Sequence, residues 1–207
     1  MEIAPRTVLT PDKRLGLVLV VNFVMVLALV GVGLAANSLG VLASGADYLG
    51  DALGTGLSLV ALRISRRPRG HPRATSFAAL VNATLLLFVT LAVSVEAVYR
   101  LSTGAPSIDG LPVVLVSIVA AAAMIACALI LGDVHGDLNM QSVMLDTVAD
   151  AAAALGVAAS GAVILITGGL FWLDSVVALI IALVVGYHAV RLIRSVLADL
   201  HEKAAAS

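Results

Sequence analysis

Long apolar runs alternate with short polar breaks along almost the whole chain, and this alternation predicts an all-α, polytopic membrane protein. A helix needs about 20 apolar residues to cross the hydrocarbon core. Six stretches meet that length: Leu15 to Leu34, Leu39 to Leu62, Phe77 to Tyr99, Leu111 to Leu131, Val143 to Ile166 and Leu173 to Ile193. The Asn37-Ser38 break leaves little room for an aqueous loop, so the first two spans should form a tight antiparallel hairpin. The expected organisation is a polar segment over 1–14, a six-helix transmembrane domain over 15–193, and a tail over 194–207 too short to make a soluble domain. The first fourteen residues are polar and contain two prolines. The apolar run after them is long enough to remain in the membrane, so no cleavable signal peptide is read here. Composition agrees with the pattern, since 61% of the 207 residues are hydrophobic and only 12% are charged, far from the balance of a soluble domain.

Charge adds orientation. The formal net charge is −1, which argues against nucleic acid as a partner, and the useful information lies in where the cations sit. Arg6, Lys13 and Arg14 precede the first span, Arg63, Arg66, Arg67, Arg69 and Arg73 surround the loop after the second, and Arg191, Arg194 and Lys203 follow the sixth. In a six-span topology these fall on one side and Arg100 alone on the other, which places both termini in the cytoplasm. Tyr99 and Trp172 then serve as aromatic anchors at the outer interface. Cys127 is the only cysteine, which excludes an intramolecular disulfide and a cysteine-based metal site; it reads as a small core residue.

Against this apolar background four carboxylates stand out. Asp47 and Asp51 lie four residues apart in the second span, and Asp146 and Asp150 repeat the spacing in the fifth. Acids inside a membrane are costly and by default mark a site. On a helix the i, i+4 spacing puts each pair on one face, about 6 Å apart along the axis. The second span runs inward and the fifth outward, so the pairs overlap in depth if these helices are neighbours, although periodicity does not establish that they are. Gly50, Gly54, Ala149 and Ala153 beside the acids would permit close helix approach. No Lys or Arg lies at matching depth, so the neutralising partner must be protons or a cation. Four carboxylates around one point suit a divalent ion, with oxygen ligands at about 2.0 to 2.2 Å for Zn²⁺. Neighbouring acids oppose each other's ionisation, so metal entry should release protons and metal departure should take them up. The plain alternative is that the acids are protonated helix–helix hydrogen-bond donors, which accounts for one such residue better than for two matched pairs.

Other polar groups carry weaker signals. His71, in the basic loop after the second span, and Asp133, His135 and Asp137, in the glycine-flanked loop after the fourth, are candidate ligands of a weak secondary metal site; equally, short loops need such residues to stay in water. Asn22 and Asn82 are read as interhelical hydrogen-bonding groups and Tyr48 as a packing residue. Glu96, Asp109 and Asp174 are placed near the outer surface and His188 near the inner one, where solvation is cheap.

The chain also resembles the cation diffusion facilitators. The resemblance runs from Leu15 to Leu200 and rests on Asn37-Ser38-Leu39 leading to Asp47 and Asp51, Ala79-Leu80-Val81-Asn82-Ala83 and Glu96-Ala97-Val98-Tyr99-Arg100-Leu101 in the third span, Asp146 and Asp150 in the fifth, and Asp174-Ser175 opening the sixth. It implies a six-span exporter of divalent metal in exchange for protons, working as a homodimer, not an enzyme, with Asp47, Asp51, Asp146 and Asp150 as the transport site. The metal and protons are cargo, and no resident cofactor is expected. Members of the family commonly continue into a cytoplasmic domain, and this chain stops where one would begin, so dimer contacts are expected within the membrane. Asp146 stands where zinc-selective members commonly carry His, which makes the site harder and more anionic; Zn²⁺ leads, and Cd²⁺, Co²⁺, Fe²⁺ and Mn²⁺ are admitted. Lipid is the other expected partner, and a bacterial inner membrane the expected location. The competing readings are a cation channel using the same acids as a selectivity ring and a non-transporting, metal-binding membrane subunit.

Overall fold

The computed structural model describes residues 11–65, 72–131 and 138–205. Its elements are α1 (Pro11–Ala35), α2 (Leu39–Ser65), α3 (Pro72–Thr103), α4 (Gly110–Leu131), α5 (Leu138–Thr167) and α6 (Trp172–Ala205). Among the described residues there is no strand, and the protein is an all-helical, multi-pass membrane protein. Each helix covers its expected span and most overrun it, because hydropathy marks the lipid-embedded part while backbone hydrogen bonding continues into the interface. Five helices are long and apolar enough to cross a membrane on those criteria alone. The exception, α2, has its apolar run diluted by Asp47, Asp51 and four glycines between Gly45 and Gly56.

That dilution matches α2's place in the fold. It packs against α1, α3, α5 and α6, so it needs less lipid-facing surface than its neighbours. Helices α1, α2, α5 and α4 contact one another in a closed ring, and the α3–α6 pair leans on α2, with α6 also touching α5. Buried stripes follow helical spacing. Val18, Asn22, Val26 and Leu29 line one side of α1; Ala151, Ala154, Val157, Ala158 and Ile164 line α5; Ala178, Ile181, Ala182, Val185 and Ala189 line α6. The outward faces carry large apolar residues such as Phe23, Leu27, Phe88, Leu129 and Ile166, as lipid contact demands. Cys127 is buried in α4, and Tyr99 and Trp172 are exposed where an interface anchor would sit.

The α1–α2 connection is as tight as the break suggested. Asn37 takes φ 58, a left-handed conformation that Asn tolerates better than most side chains, while the Ser38 N–H donates to Gly33 O at 3.0 Å. Close approach elsewhere rests on glycine. A Cβ on Gly33 would meet Leu42 at 2.8 Å, and one on Gly110 would meet the Gly161 carbonyl oxygen at 2.8 Å and the Leu165 nitrogen at 2.9 Å. The second case is backbone against backbone, which cannot swing aside. Gly110→Ala is therefore expected to cost about 1–3 kcal/mol by forcing α4 away from α5, read as a lower unfolding midpoint in detergent. A midpoint equal to wild type would mean that the two helix ends do not touch.

Candidate functional site

Three helices meet at one level near the α1–α2 turn. The position of a Cβ on Gly40 lies 2.9 Å from Oδ1 of Asp174 and 3.4 Å from Val157 Cγ1, so residue 40 of α2, 157 of α5 and 174 of α6 share a layer. Counting seven residues inward along α2 gives Asp47, and seven back along α5 gives Asp150, both about 10 Å deeper. Four more residues give Asp51 and Asp146, both about 16 Å below the same layer. The antiparallel pairs thus stand in two matched layers, and α2 and α5 are in direct contact.

The carboxyl of Asp150 lies near enough to both Asp47 and Asp51 for the three acids to interact. Asp150 is 4% exposed, and its Oδ2 has no hydrogen-bond partner. Asp47 and Asp51 are half-buried, and Asp146 is exposed. Asp146 is still near enough for its charge to act on Asp47 and Asp51. On α5, burial thus falls from Asp150 to Asp146 with distance from the α1–α2 turn. Tyr48 is fully buried, its hydroxyl is unpartnered, and it lies close to Asp47, Asp51 and Asp150. Among the described residues, no group of three or more His, Cys, Asp or Glu side chains is drawn together tightly enough to hold a metal ion in this conformation. His71, Asp133, His135 and Asp137 lie outside the described residues.

The small residues beside the acids behave unevenly. A Cβ on Gly50 would meet Leu86 of α3 at 2.8 Å, whereas Gly54 faces open space and Ala149 is exposed. Three residues of offset turns these positions away from the α2–α5 seam, so close approach between those helices depends instead on Gly40. Asn22 is buried in α1 with its Oδ1 unpartnered, which differs from its expected role as an interhelical hydrogen-bonding group.

One residue read from depth alone as a surface group is not solvated. Asp174 is 0% exposed. Its Oδ1 accepts from Ser38 Oγ at 2.5 Å and Gly40 N at 3.2 Å, and its Oδ2 accepts from Leu39 N at 2.7 Å. Ser38 Oγ in turn accepts from Val41 N at 3.1 Å. A carboxylate of α6 thus caps the first turn of α2, where free N–H groups and the helix dipole favour an anion. Depth counting missed this because α6 begins beside the α1–α2 turn instead of at water. An available signal was an acid opening an apolar span with no basic residue near it in sequence. His188, by contrast, lies on the exposed side of α6 as its depth suggested, in the neighbourhood of Asp51 and Asp146.

The end that holds the α1–α2 turn is tied by further polar contacts. Arg100 donates to the Asn37 carbonyl at 2.7 Å and pairs with Glu96 at 2.8 Å, while the Asp109 N–H reaches the Ala36 carbonyl at 3.4 Å. At the other end Arg14 donates to Ile130 O at 2.8 Å, a basic side chain on the last carbonyls of α4.

Comparison with known proteins places this arrangement. Residues 15–201 match the model of the cation efflux transmembrane domain. The chain is 26% identical over 84% of its length to the cadmium, cobalt and zinc/H(+)-K(+) antiporter of Bacillus velezensis, covering 60% of that protein. It is 29% identical over 83% of its length to the zinc transporter ZitB of Yersinia pseudotuberculosis, covering 57% of it. Against the zinc transporter ZitB of Pectobacterium atrosepticum it is 31% identical over 75% of its length, covering 51%. The chain thus spans between 51% and 60% of the length of these curated relatives. With a matched stretch that takes in all six helices and both acid pairs, the chain belongs to the cation efflux family, the cation diffusion facilitators.

Proposed function

We propose that the protein exports divalent transition-metal ions across a bacterial inner membrane in exchange for protons, with Asp47, Asp51, Asp146 and Asp150 as the transport site. One observation carries the reading: α2 and α5 are in contact with their acids in matched layers, so that Asp150 stands near both Asp47 and Asp51. Acids this close oppose each other's ionisation, so without a metal ion protons supply the neutralisation. A divalent cation supplies the same neutralisation with more charge, so its entry displaces the protons and draws Asp146 inward to complete the ligand set. Metal and proton then compete for the same oxygens, which is the condition for exchange.

Exposure supports the direction of access. A carboxylate of a membrane helix is not exposed to lipid at tolerable cost, so the open side of Asp146 reads as an aqueous path. The outer end is closed by Asp174 and Arg100. With both termini cytoplasmic, as the distribution of basic residues indicates, this conformation faces the cytoplasm. A sealed outer layer also speaks against a permanently open channel. The relatives are named for zinc, cadmium and cobalt, and an all-oxygen site extends the range toward Fe²⁺ and Mn²⁺. The working unit is a homodimer joined through transmembrane contacts.

The test is reconstitution. In proteoliposomes, an imposed pH gradient with no metal gradient should drive Zn²⁺ movement, and a Zn²⁺ gradient should drive opposite proton flux. Conductance that ignores the pH gradient would favour a channel, and metal binding without flux a non-transporting subunit.

A further inference from the structure

The α3–α6 face carries a groove of about 460 Å³ that none of the four acids lines. Its walls include Leu87 and Leu91 of α3 with Leu183 and Val190 of α6, and one end carries Arg191 and Arg194. The polar groups in its α3 wall are already satisfied: Thr90 Oγ1 donates to Leu87 O at 3.0 Å and Ser94 Oγ to Thr90 O at 2.8 Å. No acidic residue lines it. Neither arginine is paired with an acid or a carbonyl among the described residues. The groove therefore offers an apolar channel along its length and two unspent positive charges at one end.

Position fixes what can fill it. Arg191 lies nineteen residues after Trp172, about 28 Å along α6, which brings it to the membrane surface opposite the Trp172 end. From Arg194 to Ala182 is about 18 Å, close to the roughly 15 Å depth of one leaflet's hydrocarbon. An apolar slot one leaflet deep, ending in paired guanidiniums at headgroup level, matches an acyl chain joined to an anionic headgroup. We propose that this groove is a binding site for an anionic phospholipid of the inner leaflet, its phosphate on Arg191 and Arg194 and one acyl chain between α3 and α6. Because α3 and α6 both pack on α2, the lipid would sit behind the helix that carries Asp47 and Asp51.

The test uses purified full chain, delipidated in detergent and offered phosphatidylglycerol and phosphatidylcholine with matched chains, with adducts counted by native mass spectrometry. Wild type should retain phosphatidylglycerol about 30-fold better, the effect of two arginines at a membrane surface, and Arg191→Gln/Arg194→Gln should lose that preference. Leu183→Trp fills the groove and leaves both arginines in place; it should also lose the lipid, which a purely electrostatic attraction to headgroups would not. Equal retention of the two lipids by wild type would overturn the proposal, as would unchanged preference in either variant. A lipid-free wild type that runs as a dimer, broken by Leu183→Trp, would overturn it too and give the groove to a second copy of the chain.

Discussion

Asp150→Asn should reduce metal flux into inverted vesicles to background, a loss of at least about 100-fold, the upper end of what even an outer-shell metal contact is worth. The substitution keeps the shape of the side chain, so a fall in flux is not a packing effect. Asp150 is the most buried of the four acids and stands near both Asp47 and Asp51. The amide can neither ionise nor release a proton, and it offers the metal one neutral oxygen in place of a carboxylate. Asp146→Asn should cost less, about tenfold, because Asp146 is exposed and a water can take its place as ligand. Proton release on Zn²⁺ binding, followed by titration calorimetry at two pH values, should fall in the same order. Flux in Asp150→Asn equal to wild type would remove the α2–α5 site from the mechanism, and a larger loss in Asp146→Asn would mean that the layer of Asp51 and Asp146, not that of Asp47 and Asp150, holds the ion.

Hydropathy made the six helices legible because lipid imposes one rule on every span, and the acid pairs were legible because they break that rule. Which helices touch was not. Spacing puts Asp47 and Asp51 on one face of α2 but says nothing of whether that face meets α5, α4 or lipid; the contact depends on Gly40, whose missing side chain admits both Val157 and Asp174. The gradient from buried Asp150 to exposed Asp146 was equally hidden, since residues one turn apart on one helix look equivalent in sequence. Asp174 was misjudged for a related reason: depth within a span measures distance along one helix, whereas burial depends on what the neighbouring turn supplies, here the N–H groups of Leu39 and Gly40.

Asp174→Ala should destabilise the protein by about 3 kcal/mol or more, since donors of Ser38, Leu39 and Gly40 lose their acceptor in a layer that water does not reach and each orphaned group costs about 1–3 kcal/mol. Part of that is offset because an acid no longer has to be buried. Asp174→Asn should help little. An amide keeps one acceptor oxygen, but its NH₂ must then face an N–H group of α2, donor against donor. Ser38→Ala in wild type should cost about 1 kcal/mol, and almost nothing in the Asp174→Ala background, because the hydroxyl's acceptor is already gone. Additive costs in that double-mutant cycle would show that Ser38 and Asp174 are not bonded. The consequence for transport follows from rigidity. With α2 pinned to α6 at its first turn, Asp47 and Asp51 are held about 10 and 16 Å below a fixed point, so any movement that opens the outer side must either carry α6 along with α2 or break this cap. A variant without the cap should therefore lose coupling between metal and proton flux before it loses metal binding.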